Sequence, residues 1–144
     1  MLVRNCAGGI VFLDRKVFLL KNEKDEWVFP KGVVRNGQLP GDVALNRVRE
    51  EAGIDAKIIS TAGQTSYEFF SVTRQKPVCN RITWYLMNAS DDSRNPNYNS
   101  EKFKEGTYMP IEKAMEVVTY SQDKSLLNLS YAKYREIVEQ GTLL

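Results

Sequence analysis

The sequence predicts one domain of the α/β or α+β class, and three observations point there. β-prone apolar runs are interspersed with stretches of helical periodicity. A chain of 144 residues can bury one sizeable core. A hydrophobic fraction of 42% and a charged fraction of 26% are ordinary for a soluble globular protein.

Composition also excludes several kinds of chemistry. The net charge of +2 is close to balance and gives no reason to expect nucleic acid or a membrane surface as partner. Histidine is absent, which removes His triads, His–metal sites and imidazole acid/base catalysis. Cys6 and Cys79 form neither a disulfide framework nor a zinc pattern, and both read as unpaired core residues. The apolar run Ile10 to Leu13 is too short for a signal segment or a membrane span, so a cytoplasmic protein is expected.

In chain order, Asn5 to Leu13 reads as a strand whose Gly8 and Gly9 admit another backbone. Asp14-Arg15-Lys16 is a polar turn, which makes Val17 to Leu20 a hairpin partner. Lys21 to Glu26 is a charged loop, and Trp27 to Phe29 is a short β-prone run stopped by Pro30. Beyond a helix ending at Gly53, Ala56 to Thr65 and Ser66 to Val72 read as two strands, with Gly63 a bulge between them. Thr73 to Asn80, containing Pro77, reads as a loop, and Arg81 to Asn88 as a strand rich in β-branched and aromatic residues. Ala89 to Ser100 is a long polar loop, a kind of segment that often carries function. Gly106 to Met109 is a last strand, and Pro110 opens a helix. Ser121 caps a final helix reaching about Gln140, with Leu127, Tyr131, Tyr134 and Val138 as its core-facing stripe.

The most informative stretch is Gly32 to Ile54. Gly32 and Gly37 mark turn-prone backbone, Pro40 suits a first helical turn, and Asp42 sits near the positive helix end. Gly53 is a C-terminal stop. Ala44, Val48 and Ala52 recur at i, i+4 and i+8 and can face a core, while Arg47, Glu50 and Glu51 share a polar face. Neighbouring carboxylates on a helix beside a glycine-containing loop suit a hard dication and a phosphate chain.

This stretch resembles the Nudix box, G-x5-E-x7-R-E-U-x-E-E-x-G-U with U bulky and aliphatic. Gly32, Val48, Glu50, Glu51, Gly53 and Ile54 set the register. Three positions depart: Gln38 and Arg47 replace glutamates, and Asn46 replaces the arginine. Downstream, Tyr108 stands where the family often has Trp, and the resemblance covers nearly the whole chain. It implies the Nudix fold, an α/β/α sandwich with a central mixed β-sheet, as a single domain over 1–144 with its degenerate box at 32–54.

The resemblance also implies Mg²⁺ or Mn²⁺ as cofactor and cleavage of a phosphoanhydride in a nucleoside diphosphate linked to another group. Trp27-x-Phe29-Pro30-Lys31-Gly32 resembles the lead-in of dinucleoside polyphosphate hydrolases, which makes that small-molecule class the favoured substrate. Glu50 and Glu51 are the expected catalytic pair and metal ligands, and Glu101 and Glu105 are the candidates for a third ligand, Glu101 preferred by its distance from Tyr108. Lys31, Arg35 and Arg47 are the expected phosphate contacts, and a homodimer is common in the family.

At the five charged positions of the box the family pattern sums to −3, and this chain to −1, which weakens the expected grip on a dication. Arg47, three and four residues before Glu50 and Glu51, is placed to pair with them and compete with the metal. The rival expectations are an inactive nucleotide-binding or sensing module, in which Arg47 holds phosphate directly, and a structural protein with a vestigial cleft.

Overall fold

The protein is described by a computed structural model over residues 1–141. Its spine is β1, Leu2–Leu13. One edge of β1 pairs in parallel with β6, Lys76–Ala89, from Leu2 opposite Val78 to Phe12 opposite Asn88. The other edge is divided. Cys6 to Gly8 pair with β4, Lys31–Val33, and Phe12 and Leu13 pair with β2, Lys16–Lys21, both antiparallel. At the division the Pro30 carbonyl accepts the Gly9 N–H at 3.1 Å. A Cβ on Gly8 would lie 2.5 Å from that carbonyl oxygen, so the close backbone approach expected there is real.

The strand β5, Ala56–Ser71, lies outside β6, while β3, Trp27–Val28, and β7, Glu105–Pro110, pair with β2. The sheet is therefore mixed, as the family resemblance implied. One face is covered by α1, Pro40–Arg47, which runs on into a π-helical turn, Val48–Ala52. The opposite face is covered by α2, Ile111–Val117, and α3, Ser121–Glu139.

Alternation along β1 explains its unbroken apolar run. Ala7, Val11 and Leu13 join the core beneath α1, and Cys6, Ile10 and Phe12 join the core beneath α3. A strand buried on both faces reads as continuously apolar. Ala44, Val48 and Ala52 are all buried against the sheet, as their spacing requires.

Several expectations change. The two strands expected between Ala56 and Val72 are one, because β5 absorbs extra residues as register shifts near Ile59 and Ala62 instead of turning. The loop expected over Thr73 to Asn80 shrinks to a short turn, and β6 begins at Lys76. Pro77 is tolerated because it lies outside the β1 ladder, which starts at Val78. Ser121 is the first helical residue, preceded by Tyr120 at the cap position with no side-chain cap bond. On α3 the buried face runs through Leu126, Leu127, Ser130 and Tyr134, and Val138 is exposed. Cys6 and Cys79 are both unpaired among the described residues; Cys6 is buried and Cys79 partly so. Among the described residues no helix is long and apolar enough to cross a membrane.

Candidate functional site

A cleft of about 490 Å³ opens where β1, β4 and the end of α1 converge, and its lining includes Arg4, Lys31, Arg35, Arg47, Glu50 and Lys102. The π-helical turn builds one wall. Such turns re-aim side chains that a regular helix would space differently and are frequent at functional sites. Gly53 ends the turn in the left-handed conformation, φ 70°, donating its N–H to the Arg49 carbonyl at 3.0 Å.

Within this frame Glu51 points inward, its side chain only 4% exposed. Arg47 Nη2 donates to Glu51 Oε2 at 2.6 Å, and Lys102 Nζ donates to the same oxygen at 2.5 Å. The Lys31 backbone N–H donates to Oε1 at 3.3 Å. A carboxylate buried this deeply needs compensating charge, and two cations supply it. Lys102 is held there by its own loop: the Asn99 N–H donates to the Glu51 carbonyl at 2.9 Å, and the Phe103 N–H returns to the Asn99 carbonyl at 3.0 Å.

Arg47 spans both acids, since its Nη1 donates to Glu50 Oε2 at 3.1 Å. Its stem lies flat on Gly32, where an added Cβ would come within 2.5 Å of Arg47 Cγ. Gly32 is therefore needed for this close approach and sits in β4, not in a turn as expected. Gly37 does take the turn, with φ 83°. Glu50, in contrast to Glu51, is 64% exposed.

The remaining box positions have other partners. Gln38 Oε1 accepts the Arg35 N–H at 2.9 Å and closes the turn before α1. Asn46 Oδ1 accepts a bond from Arg49 at 3.2 Å. Glu101 is exposed in the loop, its backbone N–H bonded to Asn99 Oδ1 at 3.1 Å. Among the described residues no three Asp, Glu or Cys side chains come together as a metal-binding group. The structure thus brings together Lys31, Arg35, Arg47, Glu50 and Glu51 and leaves Glu101 apart.

A second cavity, about 840 Å³, adjoins the cleft and shares Arg4, Lys31, Tyr67 and Lys102 with it. Phe29, Phe69 and Trp84 wall it, and the Trp84 indole N–H is anchored on Thr65 Oγ1 at 2.8 Å. At its rim the Tyr120 hydroxyl donates to Glu26 Oε2 at 2.6 Å. That bond pulls the Glu26 carboxyl below its usual range and pushes the Tyr120 hydroxyl up to about 12. Asp123, in the first turn of α3, also lines this cavity. Burial pushes its carboxyl up to about 6, against the pull of Lys31.

The NUDIX domain family matches residues 1–129. The chain belongs to the Nudix family. Solved Nudix-type structures resemble it over most of their length. A Caenorhabditis elegans Ap4A hydrolase is 20% identical, with 92% of this chain and 98% of that one covered at a TM-score of 0.69. An Escherichia coli dihydroneopterin triphosphate pyrophosphohydrolase is 15% identical, with 88% and 95% covered at 0.68. A Streptococcus suis ADP-ribose pyrophosphatase is 14% identical, with 92% of each chain covered at 0.68. At these identities the likeness shows the Nudix fold alone.

Nudix hydrolases generally use divalent metal ions. The donor set of this chain does not fit one. Glu51 already accepts from two cations and an N–H, Glu50 is tied to Arg47, and the Gln38 carbonyl is spent on a turn. What the cleft offers instead is positive charge. Five cations face Glu50 and Glu51, an excess of three. Arg4, Lys31 and Arg35 pair with no carboxylate among the described residues.

Sequence reasoning missed Lys102, Arg4 and Asp123. Lys102 directly follows Glu101, just past the polar loop Ala89 to Ser100, and a turn has no periodicity that says which neighbour points inward. Arg4 lies one residue before the point where the first strand was read to begin.

Proposed function

We propose that the chain is a single Nudix-type domain that binds the phosphate chain of a nucleotide without a metal ion. Arg47 and Lys102 supply the charge a dication would otherwise bring, with Lys31 and Arg35 as phosphate contacts. The observation that carries this reading is Glu51, whose carboxylate is claimed by Arg47, Lys102 and the Lys31 N–H. A guanidinium and ammonium groups grip phosphate by charge-assisted hydrogen bonds. The aromatic-walled cavity next door suits the nucleoside. The lead-in Trp27 to Gly32 favours a dinucleoside polyphosphate, and a relative of similar fold carries the name Ap4A hydrolase. Hydrolysis is not expected in this reading, because Glu51 is held by two cations and Glu50 by Arg47, which leaves neither well placed to activate water.

The test is incubation of the pure protein with dinucleoside polyphosphates, nucleotide sugars and nucleoside triphosphates, with EDTA or with Mn²⁺. The expected result is stabilisation without turnover, equal in both conditions. A ligand at a hundred times its Kd adds about 2.7 kcal/mol, or roughly 5–10 °C in Tm for a domain of this size. Metal-dependent product formation would overturn this reading and return Glu50 and Glu51 to the role of metal ligands. The triple change Gln38→Glu, Asn46→Arg, Arg47→Glu rebuilds the box, and Mn²⁺-dependent turnover is expected to appear or rise steeply with it.

A further inference from the structure

The side chain of Arg4 stands at the junction of the two cavities and lines both. It is not a loose surface cation. Its Nε donates to Asn80 Oδ1 at 2.8 Å, Asn80 is buried, and Asn80 Nδ2 donates to the Tyr67 hydroxyl at 2.7 Å. The guanidinium carbon lies 5.7 Å from the centre of the Phe69 ring. A hydrogen bond at Nε together with a ring contact fixes the plane of a guanidinium. Fixing Arg4 in this way leaves its two terminal nitrogens without a carboxylate partner among the described residues. That free fork matches two phosphate oxygens. Lys31, which also lines both cavities, carries a second unpaired charge there, and burial pushes the Cys6 thiol up against the pull of Arg4 and Lys31 together.

We infer that Arg4 binds the phosphate nearest the nucleoside, in a ligand whose phosphate chain runs from the aromatic cavity into the cationic cleft. Asn80, Tyr67 and Phe69 are its positioning residues. The inference rests on the nucleotide-binding reading above and adds to it which way the ligand lies. In this orientation the phosphate chain of a nucleotide is held at Arg4 by the nucleoside beyond it, whereas inorganic tripolyphosphate, with no nucleoside to anchor it at the junction, is free to settle beside Arg47.

The experiment is calorimetric titration of wild type, Arg4→Gln, Arg4→Lys, Tyr67→Phe and Arg47→Gln with a nucleoside triphosphate and with inorganic tripolyphosphate, after thermal melts confirm folding. One lost charge-assisted contact weakens binding roughly tenfold or more. Arg4→Gln is expected to weaken nucleotide binding by about that factor and tripolyphosphate binding much less. Arg4→Lys is expected to rescue only part of the loss, because an ammonium has no planar fork. Tyr67→Phe, which keeps the charge and loosens its support, is expected to fall between wild type and Arg4→Gln for the nucleotide alone. Nucleotide affinity unchanged in Arg4→Gln but lost in Arg47→Gln would overturn the role of Arg4 and leave the nucleotide-binding reading standing. Equal losses for both ligands would overturn the orientation. No binding of either ligand by wild type would remove both readings at once.

Discussion

The sheet side of α1 and its π-helical turn differs sharply from the cleft side, though their residues interleave. Towards the sheet, Ala44, Val48 and Ala52 are fully buried in one cluster with Val11, Met87 and Ile54. Towards the cleft, Asn46, Arg47 and Glu50 are polar and reach water. The sheet side keeps the residue types of the Nudix box, and the cleft side carries two of its three departures. A packed face demands volume and shape, so few residues satisfy it. The cleft face has room for other residue types, and here the reversed charge at Arg47 is met by Glu50 and Glu51. The comparison teaches that the scaffold and the chemistry of one helix can change independently.

The largest effect expected is on the sheet side. Ile54→Ala removes a fully buried side chain and should cost about 2–5 kcal/mol, read from urea denaturation. Affinity per folded molecule for a nucleotide should stay unchanged, and a loss of affinity would break the separation of the two sides. The next test belongs to the cleft. Glu51→Gln leaves Arg47 and Lys102 without their shared carboxylate, but these are 31% and 50% exposed, so the cost is only about 1–3 kcal/mol. Phosphate affinity should rise several-fold as a negative charge leaves the cleft. If Glu51 instead held a metal for the ligand, affinity would fall, so the direction of the change decides.

The smallest effect concerns Asp123 in the adjoining cavity. Its folded pKa of about 6 lies above the ordinary 3.8, so the folded protein holds this proton more tightly than the unfolded chain does. Stability from this group is complete below about pH 4 and is lost as pH rises through 6. Asp123→Asn should match wild type near pH 4 and exceed it by about 1–2 kcal/mol above pH 7, measured as ΔG of unfolding across that range.

The face of α1 that packs on the sheet was legible in the sequence because a 3.6-residue period states it directly, and β1 was legible as an apolar run. The pairing of Arg47 with Glu50 and Glu51 was legible too, since i, i+3 and i, i+4 neighbours meet on any helix. The Lys102–Glu51 pair was not, because 51 residues separate them and only the tertiary fold closes that distance. The Arg4–Asn80 bond, across 76 residues, was hidden for the same reason. Nor does spacing distinguish a bulge from a turn, which is why β5 was read as two strands. In the cleft, the departures at Gln38, Asn46 and Arg47 were visible, but their new partners were not.

Gly32 carries a consequence that extends beyond β4. In the box pattern it is a backbone residue beside the acidic helix, and here a long cationic arm rests in the hollow its missing side chain leaves. One methyl group at that point would lift the arm off the strand and tilt its head away from Glu51. The placing of the guanidinium that ties the two acids together therefore hangs on a residue that has neither charge nor side chain.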